Sequence, residues 1–519
     1  VVKTTSVIRN DIGPQTFGAG VEFPSVQFRW LMDTGPHADG PSTPARNAIK
    51  DLNLGLMRFP SGDSAQLYFW DDPQHSIPNS NPKDPRAKWL TQDEMLKFTS
   101  GTEHFADGLG MDRLFQVNTC QFIDYDQQWK IRQLNRNFFK KQLPAEIDPE
   151  ILNRLSTRAA KWVEENGKRP GHEKVTWWEI GNEDWIYWTG SQYAEIFNAF
   201  HQKMSAARPD IKLLAQGLSN DFKTGSNGTN TMENWIEGMK KSLADPKSVY
   251  AYSDHQYLSG GEFPDDPQDV RRGKQTRNML SKTAFGKRTA DLKAKLEGSP
   301  ETAPWKIWVT EFNTYERVGG KLDNPQDMAQ ALVIADWTGK MLEQNVERIV
   351  YHSLDHHPDF ALVQYVNEGG SIKEPRVTPP GHAFSIFSSD FGRKMVACEI
   401  DRNPELTAPD GAKYPQVGAY AAIRQESGRD ELRVVVINRN TDQETDFELK
   451  AEAVPGARRF PNKGMFFWRE LSSKNLSDTN RERRNAVAWS NAEVGKIDSE
   501  MIRKKLKPAS VNLFVIPLN

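Results

Sequence analysis

Cysteine is nearly missing from this chain of 519 residues: Cys120 and Cys398 are the only two. A disulfide framework and a cysteine-based metal cluster are both excluded. Long apolar runs are missing too, none approaching the roughly 18 residues of a membrane span. No single sign of charge dominates, since 67 Lys and Arg stand against 69 Asp and Glu. Without an overall field to draw the chain to nucleic acid or to a membrane surface, a neutral or locally recognised partner is expected. There is no Gly-rich turn after the first strand-like segment and no dinucleotide fingerprint, which counts against a doubly wound open sheet. The chain starts at Val1 rather than Met. A removed signal peptide fits that start, and the expectation is a secreted or periplasmic protein.

Aromatic residues, by contrast, are plentiful: 15 Trp supply both core and a surplus of flat apolar surface of the kind that stacks on sugar faces. Strand-like and helix-like segments alternate through about residue 390. Strands are expected at 17–23, 55–60, 111–117, 175–180, 211–216, 249–257, 306–312 and 347–353. Helices are expected at 44–52, 91–107, 148–166, 191–207, 231–244, 276–297 and 325–344. Eight strand-helix repeats are the signature of a (β/α)8 TIM barrel. Thr91 and Glu94 suit a capping box, and Asp148-Pro149 suits an N-cap with a first-turn proline. After residue 390 the helical period gives way to alternating runs at 418–425, 431–440, 446–454 and 511–519, which read as an antiparallel β-sandwich. The segment 457–508 reads as polar and irregular. The organisation expected is an α/β chain with a barrel over 16–390, a C-terminal β-sandwich over 391–519, and residues 1–15 adding a strand to that sandwich.

Two glutamates carry the chemistry. Glu183 in WWEIGNEDW (177–185) and Glu311 in KIWVTEFN (306–313) each lie just past a short apolar run. Such a run reads as a buried parallel strand, and the C-terminal ends of barrel strands are where barrels place catalytic groups. The two runs are the fourth and seventh strands, on opposite sides of one mouth. Hydrolysis of a glycosidic bond with retention needs one carboxylic acid and one carboxylate nucleophile about 5 to 5.5 Å apart. Gly181 permits a sharp turn off the strand, and the Asn182 amide suits a sugar hydroxyl. The x-His-x-Tyr strand end places His255 and Tyr257 on one face, where a Tyr hydroxyl can donate to a carboxylate. The bland alternatives are rim salt bridges for the glutamates and wall packing for His255 and Tyr257.

On these motifs the chain resembles clan A retaining glycoside hydrolases, most closely the family 51 α-L-arabinofuranosidases. TFGAGVEF (16–23), MRFPSGDSAQLYFWDD (57–72), WWEIGNEDW, SDHQY (253–257), WVTEFN (308–313) and TPPGHAFSIFSSDFG (378–392) follow that family's order along essentially the whole chain. The resemblance implies Glu183 as general acid/base and Glu311 as nucleophile, with Glu22, Asn182, His255 and Tyr257 around the sugar. It also implies Arg58 beneath the nucleophile, a carbohydrate substrate of plant or algal origin, and no cofactor or metal.

Three features depart from the pattern. Ser61-Gly62-Asp63 stands where the family has Gly-Gly-Asn, so an acceptor-only carboxylate, Asp63, replaces an amide in the substrate-binding set. The loop YHSLDHHPDF (351–360) holds three His and two Asp, which by type suit a metal, although substrate contact or loop packing is the expectation. Residues 271–295 carry nine Lys and Arg against the single acid Asp291, either a solvated helix face or a guide for a uronate or sulfated polysaccharide. Agarase-, xylosidase- and glucuronidase-like specificities therefore stand beside the arabinofuranosidase. A polysaccharide lyase or a non-catalytic carbohydrate-binding protein is the reading from a different class.

Overall fold

The computed structural model describes residues 1–22, 43–71, 106, 108–124, 130–134, 146–169, 174–220, 222–224, 228–354, 360–368, 371–426, 428–481 and 485–519. Eight parallel strands close into a barrel: Phe17–Glu22, Leu56–Ser61, Asp112–Val117, Trp177–Ile180, Lys212–Gln216, Val249–Leu258, Lys306–Thr314 and Arg348–Tyr351. These are the eight expected strands, each within about two residues of its expected ends. The helix expected at 91–107, with its Thr91–Glu94 box, lies largely outside the described residues. Asp148 does cap the helix Pro149–Gly167, accepting from the amides of Glu150 and Ile151. Where one helix was expected over 276–297 there are two, Gln268–Thr283 and Lys287–Glu297. Gly286 separates them in a left-handed conformation, φ 55°, which breaks helical hydrogen bonding at little cost only for glycine.

Period-two alternation fills the barrel interior in layers. Leu56, Leu114, Leu214, Ala251, Trp308 and Val350 form an apolar plug with Trp177 and Tyr250 packed on it. Two residues further along six of these strands stand Arg58, Gln116, Glu179, Gln216, Ser253 and Thr310, all fully buried. A polar layer thus lies directly on the apolar one, and the functional face begins above it.

Nine antiparallel strands form the C-terminal β-sandwich. Val2–Arg9 pairs with Lys394–Cys398 at one edge, and Thr445–Lys450 is the other. A single bridge from Val2 to Ala451 brings those two edges together, so the sheet wraps over its own core of Val434, Val436, Phe466, Phe514 and neighbours. The segment expected to be irregular, 457–508, instead contributes Lys463–Leu471, Glu493–Asp498 and Met501–Leu506. Their alternation is hidden because Met465, Phe467 and Val494 face solvent while Phe466 and Trp468 face the core. With apolar residues on both faces, the period-two signal disappears.

Candidate active site

Glu183 follows directly on the fourth strand through a turn that only particular residues allow. Gly181 has φ 87°, and a Cβ there would stand 1.7 Å from Asp184 Oδ2. Glu183 itself is left-handed, φ 50° and ψ 37°. Its amide donates to Gln216 Oε1 at 3.0 Å, while Gln66 Nε2 donates to the Asn182 carbonyl at 2.5 Å. Strained backbone held by buried side chains is a mark of functional sites. Asp184, beneath the turn, is pushed up to about 8 by burial, against donors from Thr119 and Gln66.

Glu311 reaches the mouth by a different device. The pairing of the sixth and seventh strands runs from Asp254 opposite Val309 to His255 opposite Glu311, skipping Thr310. This bulge leaves consecutive residues facing inward: Thr310 Oγ1 donates to Glu179 at 3.2 Å, and Glu311 accepts from Arg58. One oxygen of Glu311, one of Glu183 and a nitrogen of His255 all lie within 4.8 Å of one another. Glu311 keeps 4% side-chain exposure, Glu183 26%. One carboxylate is walled in and the other is open to water.

Arg58 ties the floor together. Its guanidinium donates from Nε to Glu179 at 2.7 Å, from Nη1 to Glu311 at 2.5 Å, and from Nη2 to Asn182 Oδ1 at 3.1 Å. Nη2 also lies 3.2 Å from His255 Nε2. A guanidinium cannot accept, so His255 Nε2 accepts and its Nδ1 carries the hydrogen that faces Glu183 at 3.1 Å. Gln116 Nε2 gives Asn182 Oδ1 a second donor at 3.2 Å. That fixes the amide orientation and leaves the buried Asn182 Nδ2 with no hydrogen-bond partner among the described residues.

The charge state of Glu311 follows from its surroundings. Burial alone would raise its carboxyl, but the His255 Nδ1–H at 3.6 Å, the His352 and Arg58 cations, and a 2.6 Å hydrogen bond from the Tyr257 hydroxyl hold it well below the usual range. His352 is pulled down by burial yet ends at about 9, because Glu311 and Glu22 both face it. Its Nε2 lies 3.0 Å from Glu22 Oε1. Although water reaches Asp63, the surrounding protein and then the charges of Glu183, Glu311 and Glu22 push it up to about 6.

Of the residues singled out in the sequence, Glu22, Arg58, Asn182, Glu183, His255, Tyr257 and Glu311 are linked directly or through one neighbour, and Asp63 lies within their field. Glu179, Gln216 and Ser253 belong to the same network and were not singled out in the sequence; His352, one of the three histidines noted in the loop 351–360, joins it beside Glu22 and Glu311. Glu179 carried a signal: a lone carboxylate inside an apolar strand can be buried only against a cation. Asp355, His356, His357 and Asp359 of the suspected metal loop lie outside the described residues. By type Glu183, His255 and Glu311 could hold an ion, but a divalent cation there would adjoin the fixed Arg58 cation.

The basic stretch is largely neutralised at its own place. Arg272 is fully buried against Asp327, and Arg271, Lys274, Arg277, Lys287, Lys293 and Lys295 pair with Asp323, Asp266, Asp442, Asp291, Glu297 and Glu233. Arg288 is spent on Ser219, Asn220 and the His255 carbonyl. A cationic guide for anionic substrate is not what these residues form.

Comparison with known proteins agrees with the motifs. Residues 48–269 match the family model described as the alpha-L-arabinofuranosidase 1 domain, a stretch that includes Arg58, Asn182, Glu183, His255 and Tyr257. The chain is similar over its whole length to the alpha-L-arabinofuranosidase from Thermotoga maritima in its arabinose complex, with TM-score 0.70, 17% identity, and 100% and 99% of the two chains covered. The GH51 arabinofuranosidase from Xanthomonas axonopodis pv. citri gives TM-score 0.71 at 16% identity, covering 98% and 97%. That from Thermotoga petrophila RKU-1 gives 0.68 at 17%, covering 99% and 98%. No curated protein matches the chain in sequence. Among the described residues no helix is long and apolar enough to cross a membrane.

Proposed function

Taking the chain as an arabinofuranosidase-like retaining glycoside hydrolase, the premise that the matched domain and the shared fold supply, we propose that Glu311 is its nucleophile and Glu183 its general acid/base. The observation that carries this reading is the pair of carboxylates with oxygens within 4.8 Å, one shielded and held ionised, the other open to water. That separation leaves no room for a water between them and suits double displacement.

Glu311 Oε2 attacks the anomeric carbon as Glu183 gives its proton to the departing oxygen, forming a glycosyl-enzyme. Water then enters from the exposed side, Glu183 takes its proton, and the C–O bond to Glu311 breaks to restore the carboxylate. The Asn182 Nδ2 donor, buried and without a partner among the described residues, suits a hydroxyl of the reacting sugar, with Glu22 and Asp63 as further acceptors. The substrate proposed is a neutral arabinofuranoside in plant or algal polysaccharide or an oligosaccharide from it, met outside the cytoplasm.

The test is Glu311→Gly. Activity on an aryl α-L-arabinofuranoside should fall roughly 1,000-fold or more, and azide should restore turnover with release of the inverted glycosyl azide. Full activity in the variant, or rescue without a glycosyl azide, would sink the assignment of Glu311.

A further inference from the structure

We propose that Glu179, which touches no substrate, is a positioning residue for both reacting glutamates: it divides the charge of Arg58 and fixes, through Gln216, the turn that presents Glu183. The proposal rests on the roles given above to Glu311 and Glu183.

Glu179 is entirely enclosed, and all its interactions are with protein donors. Arg58 meets it with Nε at 2.7 Å and Nη2 at 3.3 Å, Gln216 Nε2 at 2.8 Å, Thr310 Oγ1 at 3.2 Å, and Ser253 through its hydroxyl. It stands in the polar layer beside Arg58, which is bonded in turn to Asn182 and His255. Neither reacting atoms nor water reach it, so it serves as neither acid nor base. A buried ion pair is an expensive way to fill a barrel, and apolar side chains of similar volume would commonly do as well. The layer immediately below uses just such residues.

Two geometric consequences explain what the charge does. First, Glu179 engages the Nε edge of Arg58, so a single nitrogen, Nη1, is left for Glu311. Freed from Glu179, the guanidinium could grip Glu311 with two nitrogens and its whole charge. That would stabilise the resting carboxylate more than the transition state, in which its charge is being spent, and so slow attack. Second, Glu179 Oε1 holds the Gln216 amide nitrogen, which also donates to the Gly181 carbonyl at 3.1 Å. The amide oxygen is thereby aimed at the Glu183 N–H. One carboxylate thus orients both partners of the reaction, one through Arg58 and one through Gln216.

The experiment is Glu179→Gln, which keeps the shape and leaves the Arg58–Glu311 pair balanced, measured on the aryl glycoside that wild type turns over. The burst of glycosyl-enzyme formation should slow by up to about 100-fold, with KM within about threefold of wild type. In an Arg58→Lys background the same change should cost far less, because the two residues act as one unit. A folded Glu179→Gln with a wild-type burst rate, or losses that simply add to those of Arg58→Lys, overturns the proposal. Should Glu179→Gln not fold, Glu179→Asp decides, since retraction of the carboxylate should slow the burst and an unchanged rate overturns. Failure of azide to give a glycosyl azide in Glu311→Gly would instead defeat the glycosyl-enzyme reading itself.

Discussion

At the scale of single residues, the site is a problem in keeping charge where water is scarce. Glu311, Glu22 and Glu179 are carboxylates in or near the floor, and Arg58 and His352 are the cations that balance them. Arg58 stays charged at any working pH, but His352 titrates. Its value in the fold, about 9, lies above its ordinary 6.5, because Glu311 and Glu22 outweigh burial and the nearby Arg58. A folded value raised above the unfolded one means stability that is fully present below about 6.5 and is lost as pH climbs through about 9. His352→Gln should therefore melt several degrees lower than wild type at pH 6, and the gap should close by pH 10. A gap that is constant across that range, followed by thermal melts, would exclude the charge of His352 as its source.

At the scale of elements, alternation and its interruptions decide which side chains meet. Leu56 and Arg58, or Trp177 and Glu179, face inward two residues apart as strand geometry requires, while the bulge at Thr310 brings Glu311 onto the same face. Helix ends do similar work. Asp327 caps the helix Met328–Glu343 through the Gln330 amide at 3.0 Å and also takes the buried Arg272 bidentately at 2.7 and 2.8 Å. Asp327→Ala removes a cap and strands a buried cation, for a loss of about 3 to 5 kcal/mol. Denaturant unfolding should show it as a lowered midpoint, and a change below about 1 kcal/mol would mean that Arg272 finds another partner. Glu183 and Glu311 could be read from the sequence because strand, turn and carboxylate are contiguous there. Glu179 could not be assigned a part, because its cation, Arg58, is 121 residues away. The break at Gly286 was missed for the opposite reason, since one local glycine competes with strong helical periodicity on both sides.

At the scale of the whole molecule, barrel and sandwich share buried charge. Asp336, on the helix after the seventh strand, accepts from Arg439 at 2.7 and 3.0 Å, from the Tyr420 hydroxyl at 2.9 Å and from Thr283 at 2.7 Å. Gly339 lets the helix lie against Tyr420, whose ring stands 2.3 Å from where a Cβ would be. Arg439→Met leaves Asp336 with neutral donors alone. That is expected to cost about 3 to 5 kcal/mol and to split thermal unfolding into two calorimetric transitions; a single unshifted transition would exclude Asp336–Arg439 as the tie between the two.

The sequence by itself determined the barrel and the strands that bear Glu183 and Glu311, and it supplied the hydrolytic reading proposed for those two, because strand periodicity and strand-end residues are local properties. Tertiary structure alone decided the rest. It showed that the cations of 271–295 are spent on nearby acids and amides, that His352 belongs with Glu22 and Glu311, and that Glu179 is bonded to Arg58, which holds Glu311, and to Gln216, which holds the Glu183 amide. The placing of Arg272, His352 and Glu179 in particular depends on burial next to a residue distant in the chain, and burial is what turns an ordinary side chain into a fixed charge.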